Sequence, residues 1–189
     1  MSTCNVCLPG RNCSPCGSIK GVDQKTCKAL TLQCIDFRLR DSITCNLTFL
    51  GYSNQHDDVI LAGSSLGYNG VPGTFEYPSW VPTIDDHVKI AYDLHNISEI
   101  ILVDHMQCGA YGVAYPGLTL GGEAEYNLHV ENLNKAAEEI KKKYQGPNAT
   151  KFEIPNLIIR KWVIGIYGSC IVDIDVYKGP FPFPPNPNL

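Results

Sequence analysis

No apolar run in this chain approaches the about 18 residues that a membrane-crossing helix needs, so no such span is expected. The first residues lack the basic region and apolar core of a secretory signal, and a cytoplasmic location is the expectation. No basic block is present either. Lys141-Lys142-Lys143 reads as the end of a helix, and the formal net charge of −4 argues against a general nucleic-acid partner. No internal repeat and no second catalytic domain is visible. The 189 residues suit one domain with a full core.

Cysteine, by contrast, is plentiful. There are nine, an odd count that argues against a closed disulfide framework. Four fall near the start as two Cys-x-x-Cys pairs, Cys4 with Cys7 and Cys13 with Cys16, in a stretch broken by Pro9, Gly10, Pro15 and Gly17. One such knuckle lets two thiolates reach one metal, and two of them can close a four-thiolate structural zinc site. Disulfide or redox pairs, and thiols with no role, are the other readings of the same residues.

Two further stretches carry more chemistry. Cys34-Ile35-Asp36-Phe37-Arg38 sets a thiol, a carboxylate and a guanidinium at alternate positions, and His105-Met106-Gln107-Cys108-Gly109 sets an imidazole and a thiol three positions apart. Two apolar runs of strand length, Lys28 to Ile35 and Ser98 to Val103, each end at these ligands. In an open α/β sheet, ligands gather at the carboxyl ends of strands near a topological switch point. Residues two apart on an extended segment share a face, so Cys34 and Asp36 can enter one pocket with Arg38 behind. Cys34, His105 and Cys108 make a three-ligand zinc set with a fourth position left for water, which is the pattern of a catalytic rather than a structural site. Asp36 either orients water beside that position or binds zinc itself. A two-pronged Arg38 pair would hold it off the metal. His87 and His95 read as ordinary helix histidines, and His129 as a helix-surface residue or, if it faces the pocket, a proton shuttle. Asp104 either orients a neighbouring histidine or only starts the turn.

Cys-x-Asp-x-Arg followed by His-x-x-Cys-Gly resembles the β-class carbonic anhydrases, and the wording of both stretches is similar to a small divergent branch of that family. The resemblance runs from about Lys28 to about Lys178. It implies that Cys34, His105 and Cys108 hold one catalytic zinc, and that Asp36 and Arg38 form a catalytic dyad beside it. The implied reaction is the reversible hydration of carbon dioxide to bicarbonate through a metal-bound hydroxide. Two thiolates cancel the zinc charge, so activity is expected to rise toward mildly alkaline pH. The family also implies a homodimer or higher homo-oligomer with the pocket at its interface. In one respect the chain departs from the family: Ile60-Leu61-Ala62-Gly63 stands where members carry Arg-Asn-Ala-Gly, so an apolar wall is expected. This keeps hydrolysis of carbon disulfide or carbonyl sulfide as an alternative. A non-catalytic zinc or redox-sensing protein is the alternative of another class, supported by the extra cysteines.

The remaining pattern predicts an α/β fold, β-carbonic-anhydrase-like, with a mainly parallel central sheet, flanking helices and one added antiparallel strand. Residues 1–21 form a Cys-rich segment, 22–178 the zinc domain and 179–189 a Pro-rich tail. Asp41 is expected to cap a helix that turns Ile43, Leu47 and Leu50 inward. Residues 63–82 are expected as a long loop with Tyr68, Phe75, Tyr77 and Trp80 lining the pocket. Thr83 is expected to cap a helix over 84–94 that buries Ile84, Val88, Ala91 and Leu94. The clearest helix spans Glu123 to Tyr144, with Tyr126, Val130, Leu133, Ala137, Ile140 and Tyr144 on one stripe.

Overall fold

Strand β1 (Ala29–Gln33) is buried at every position, as a central parallel strand covered on both faces must be, and its two polar residues, Thr31 and Gln33, are hydrogen-bonded. A computed structural model describes residues 25–166 and 171–183. After β1 come a 3₁₀ turn (Phe37–Leu39), α1 (Arg40–Phe49), β2 (His56–Ile60), α2 (Ser65–Asn69), α3 (Trp80–His95) and β3 (Glu99–His105). They are followed by α4 (Gly109–Ala114), α5 (Glu123–Tyr144), β4 (Ile158–Ile164) and β5 (Ile171–Asp173). The strands form one sheet in the order β2-β1-β3-β4-β5. The first four are parallel, and β5 pairs antiparallel with β4 through Trp162↔Asp173, Val163↔Val172 and Ile164↔Ile171.

Strand alternation divides the core between two faces. Leu30, Leu32, Ile100, Leu102 and Val163 pack with α3 and α5 residues on one side. Ala29, Ile101, Val103, Trp162 and Ile164 pack with Ile43 and Leu47 of α1 on the other. The chain leaves β1 for β2 on one side and returns to β3 on the other. The switch point therefore lies between the carboxyl ends of β1 and β3.

Several local expectations are corrected. The helix α1 begins at Arg40, and Leu39, with no side-chain cap, holds the capping position. Asp41 instead lies in the first turn, where its charge complements the helix dipole. Its third inward residue is Asn46, whose amide reaches Ser42 O, while Leu50 is exposed beyond the last turn. The stretch 63–82 is no open loop: α2 lies within it, and α3 starts at Trp80 with Pro82 in its first turn, where a missing N–H costs nothing. Thr83 is inside α3 and its hydroxyl donates to Ser79 O. Leu94 points outward, one position off the stripe of Ile84, Val88 and Ala91. The start of the tail is docked: Phe183 is in the main core and meets Tyr126 edge-on.

Candidate metal centre

β1 and β3 end side by side, and Gln33 is in register with Val103. The next residues on each strand therefore meet at the switch point. Cys34, His105 and Cys108 are all buried there, and their ligand atoms lie within 4.8 Å of one another. The two Sγ atoms are 3.9 Å apart. Two sulfurs bound to one tetrahedral zinc at ~2.3 Å would stand about 3.8 Å apart. Both cysteines are free. His105 Nδ1 donates to Met106 O at 2.9 Å, which fixes the ring and turns Nε2 toward the sulfurs. Nε2 is buried and has no hydrogen-bond partner. A buried nitrogen facing two sulfurs without a partner is the arrangement that a metal ion completes, so the donor set fits a metal such as zinc.

The two thiols are coupled through their hydrogen bond. Whichever sulfur carries the shared proton, the contact eases ionisation of one thiol, and with help from His105 and against the cost of burial it holds Cys34 below its usual value. The same contact pushes the Cys108 thiol up.

Asp36 caps the 3₁₀ turn and is held by one residue, Arg38. The Arg38 amide and Nε donate to Oδ1 at 3.0 and 2.9 Å, and a terminal guanidinium nitrogen donates to Oδ2 at 2.5 Å. These bonds hold the carboxyl down at about 2. Asp36 Oδ2 is 3.9 Å from His105 Nε2, yet the carboxylate falls outside the three-ligand cluster. The Arg38 pair keeps it at the rim. Arg38 also donates to Gln107 O at 3.0 Å, so the dyad ties the first ligand segment to the second.

The departure at Ile60 and Leu61 acts elsewhere than expected. Ile60 is exposed and Leu61 packs against the main core. Cys34 and Cys108 pack instead with Leu66, Phe75, Tyr111 and Ala114, flanked by Ala62, Trp80 and Ala110. Of the expected aromatic lining, Phe75 and Trp80 join this cluster, Tyr77 stacks on Trp80, and Tyr68 belongs to the main core. Ala62-Gly63 does matter. The Gly63 amide points at Cys34 Sγ at 3.4 Å, from a backbone with φ of +75°, and a Cβ there would press on Ala110 and Leu66.

Sequence reasoning missed the support behind the ligands. Glu125 is buried and accepts three main-chain N–H groups, from Gln107 at 3.0 Å, Cys108 at 2.8 Å and Gly121 at 2.5 Å. It thereby holds the ligand loop, in which Gln107 has the left-handed φ of +58°. His129 is fully buried, not on the helix surface. Its Nδ1 lies 3.0 Å from Asp104 Oδ2 and its Nε2 3.4 Å from Glu125 Oε1. Both ring nitrogens face carboxylate oxygens, an arrangement that favours the doubly protonated ring. Burial pushes His129 down, but the two carboxylates outweigh it and raise it above its usual value. Asp104 does orient a histidine, but that histidine is His129 and not the adjacent His105. It also accepts from the Ser65 amide and hydroxyl and from the Tyr111 hydroxyl at 2.8 Å. The available signal was Glu125, His129 and Asn132, a polar stripe at steps of four and three on an otherwise apolar helix face. The four N-terminal cysteines lie outside the described residues.

No family model matches the chain. The β-carbonic anhydrase CafA of Aspergillus fumigatus has a similar structure, with a TM-score of 0.52 and 12% identity over 82% of this chain and 78% of that one. The fold is that of the β-carbonic anhydrases. Two curated sequences are closer. An uncharacterised protein of Rickettsia bellii is 36% identical over 141 residues, covering 74% of this chain and 77% of that protein. One of Rickettsia conorii is 34% identical over 140 residues, covering 74% and 68%. The chain belongs to the same family as these rickettsial proteins. Among the described residues no helix is long and apolar enough to cross a membrane.

Proposed function

We propose that the chain reversibly hydrates carbon dioxide to bicarbonate, with one zinc ion held by Cys34, His105 and Cys108. The observation that carries this reading is the unpartnered His105 Nε2 facing two sulfurs 3.9 Å apart, with the Asp36–Arg38 pair on its open side. Zinc held there would supply a nucleophile by lowering the pKa of water toward neutrality. Asp36, ionised and fixed by Arg38, accepts a hydrogen bond from the reacting water and aims its lone pair. Because Arg38 already occupies the carboxylate, Asp36 does not close the metal site as a fourth ligand. The apolar surround of Ala62, Leu66, Ala110 and Tyr111 suits a small, uncharged, linear substrate and disfavours retention of the anionic product.

A homodimer or higher homo-oligomer belongs to the same reading. Ile35 and Phe37 alternate with the ligand and dyad residues, and Phe37 is 84% exposed. Large apolar side chains at the lip of a site mark a contact surface. Sedimentation of the chain beside Phe37→Ser tests this, the variant shifting toward monomer. A reducing cytoplasm would keep the site thiols free. A second, structural zinc at Cys4, Cys7, Cys13 and Cys16 is tested by metal content with and without residues 1–21, an unchanged ratio counting against it.

Stopped-flow hydration by zinc-loaded protein at mildly alkaline pH, beside Cys108→Ala, tests the activity. Hydration that is lost in the variant supports the reading. Turnover of carbon disulfide or carbonyl sulfide without hydration moves the activity to sulfur substrates. Bound zinc with no turnover leaves a non-catalytic or redox-sensing protein.

A further inference from the structure

The opposite end of the sheet carries a second cluster of metal-type ligands. Cys27 stands just ahead of β1, Asp57 is the second residue of β2, and His95 is the last residue of α3. Their ligand atoms lie within 4.8 Å of one another. Cys27 Sγ and His95 Nδ1 converge on a single oxygen, Asp57 Oδ2, at 3.5 and 2.6 Å. We propose that Cys27, Asp57 and His95 form a further metal site, for a zinc-class divalent cation, independent of the Cys34 centre and of its function.

The carriers are fixed without any metal. The Cys27 amide donates to His95 O at 3.0 Å, and the Lys28 amide to Gln55 O at 2.9 Å. The parallel register then places Asp57 beside Leu30. Sulfur and oxygen on one tetrahedral zinc, with bonds of ~2.3 and ~2.0 Å, stand about 3.5 Å apart, which matches the Cys27–Asp57 separation. The nitrogen–oxygen pair must open to about 3.3 Å. The His95 side chain, 41% exposed at a helix end, has the freedom to move that far. In the metal-free arrangement, burial and the Asp57 carboxylate hold the Cys27 thiol proton on, up to about 11. The cation replaces the donor hydrogens aimed at Asp57: the thiol proton leaves to solvent, and the imidazole carries its proton on Nε2. Thiolate and imidazole select zinc, cobalt or cadmium over magnesium or calcium. One thiolate and partial exposure make this site weaker than the Cys34 centre. Its cation would staple the start of β1 to β2 and to the end of α3.

Cadmium-113 NMR of the full chain tests the site, because the resonance moves downfield with each added thiolate. The expected spectrum has a one-thiolate resonance well upfield of any two-thiolate signal from Cys34 and Cys108. That resonance is lost in Cys27→Ser and in His95→Gln. The second change is at a partly exposed helix end and leaves the fold intact, as circular dichroism would verify. Absence of a one-thiolate resonance at saturating cadmium, or its survival in both variants, overturns the proposal and leaves a hydrogen-bonded trio. Loss of the two-thiolate signal bears on the Cys34 centre alone.

Discussion

Glu125 makes the sharpest test of how the metal centre is supported. It touches none of the three ligand side chains, yet its carboxylate accepts the Gln107, Cys108 and Gly121 amides at 3.0, 2.8 and 2.5 Å. Burial pushes this carboxyl up, but the His129 hydrogen bond and the amides outweigh it and hold it below its usual value. In Glu125→Gln the side chain keeps its volume and loses one acceptor oxygen. The best placement leaves the new amide oxygen on Gln107 and Gly121 and turns an NH₂ against the Cys108 N–H and the His129 Nε2–H, the second of which the ring relieves by giving up that proton and accepting instead. One bond to a charged group is lost, at about 1.5–3 kcal/mol, and two are weakened, for a total near ~3 kcal/mol. The chain stays folded but the ligand loop, strained at Gln107, relaxes. Two readings follow from urea unfolding in excess chelator and from zinc competition with a chelating indicator. Metal-free stability is expected to fall by about 3 kcal/mol. Zinc affinity is expected to fall about 10- to 100-fold, the usual cost of removing a group that orients a ligand. The exposed Glu123→Gln serves as control and should change stability by less than about 0.5 kcal/mol. If Glu125→Gln matches that control in stability, or keeps zinc affinity within about threefold, the carboxylate does not hold the loop and the reasoning fails.

Three further outcomes are expected. In Gly67→Ala the new Cβ would stand 2.2 Å from Leu61 Cδ1 and 2.5 Å from Ala62 O. Leu61 can yield but the Ala62 carbonyl cannot, so the melting temperature should fall with a loss of about 1–3 kcal/mol. Gly112→Ala, in α4 with only Leu120 at 3.6 Å, should be neutral or slightly stabilising, and equal melting of the two variants would contradict the close approach. For His129, the folded pKa is raised, so its contribution to stability is complete below the unfolded value of about 6.5 and is lost as pH rises through the folded value. Nitrogen-15 imidazole NMR should find both ring nitrogens protonated at neutral pH, and a neutral tautomer there would refute the pairing with Asp104 and Glu125. Arg38→Lys removes the two-pronged grip on Asp36 and the bond to Gln107 O, and should lower hydration at least about tenfold. An undiminished rate would separate the dyad from the chemistry.

Much of this fold follows from residue order alone. The continuous apolar run of β3 and the interrupted period of α5 were readable because burial dictates residue type directly. The three metal-type ligands were legible because their spacing within each segment is local: a strand end for Cys34, and a three-residue turn for His105 and Cys108. Asp36 and Arg38 were legible for the same reason, since two residues of one turn meet wherever the chain goes. Hidden were the contacts made between distant segments. Asp104 was placed beside a histidine in the sequence and bonds one 25 residues away. His129 read as a helix-surface residue, and the support given by Glu125 went unread, until α5 was laid against the β3–α4 turn. The Cys27, Asp57 and His95 cluster draws on three elements whose ends meet only once β1, β2 and α3 are in register. Periodicity and short spacing report what a residue does to its own segment. Which buried charge answers which is decided only when packing brings the segments together and withdraws water from between them.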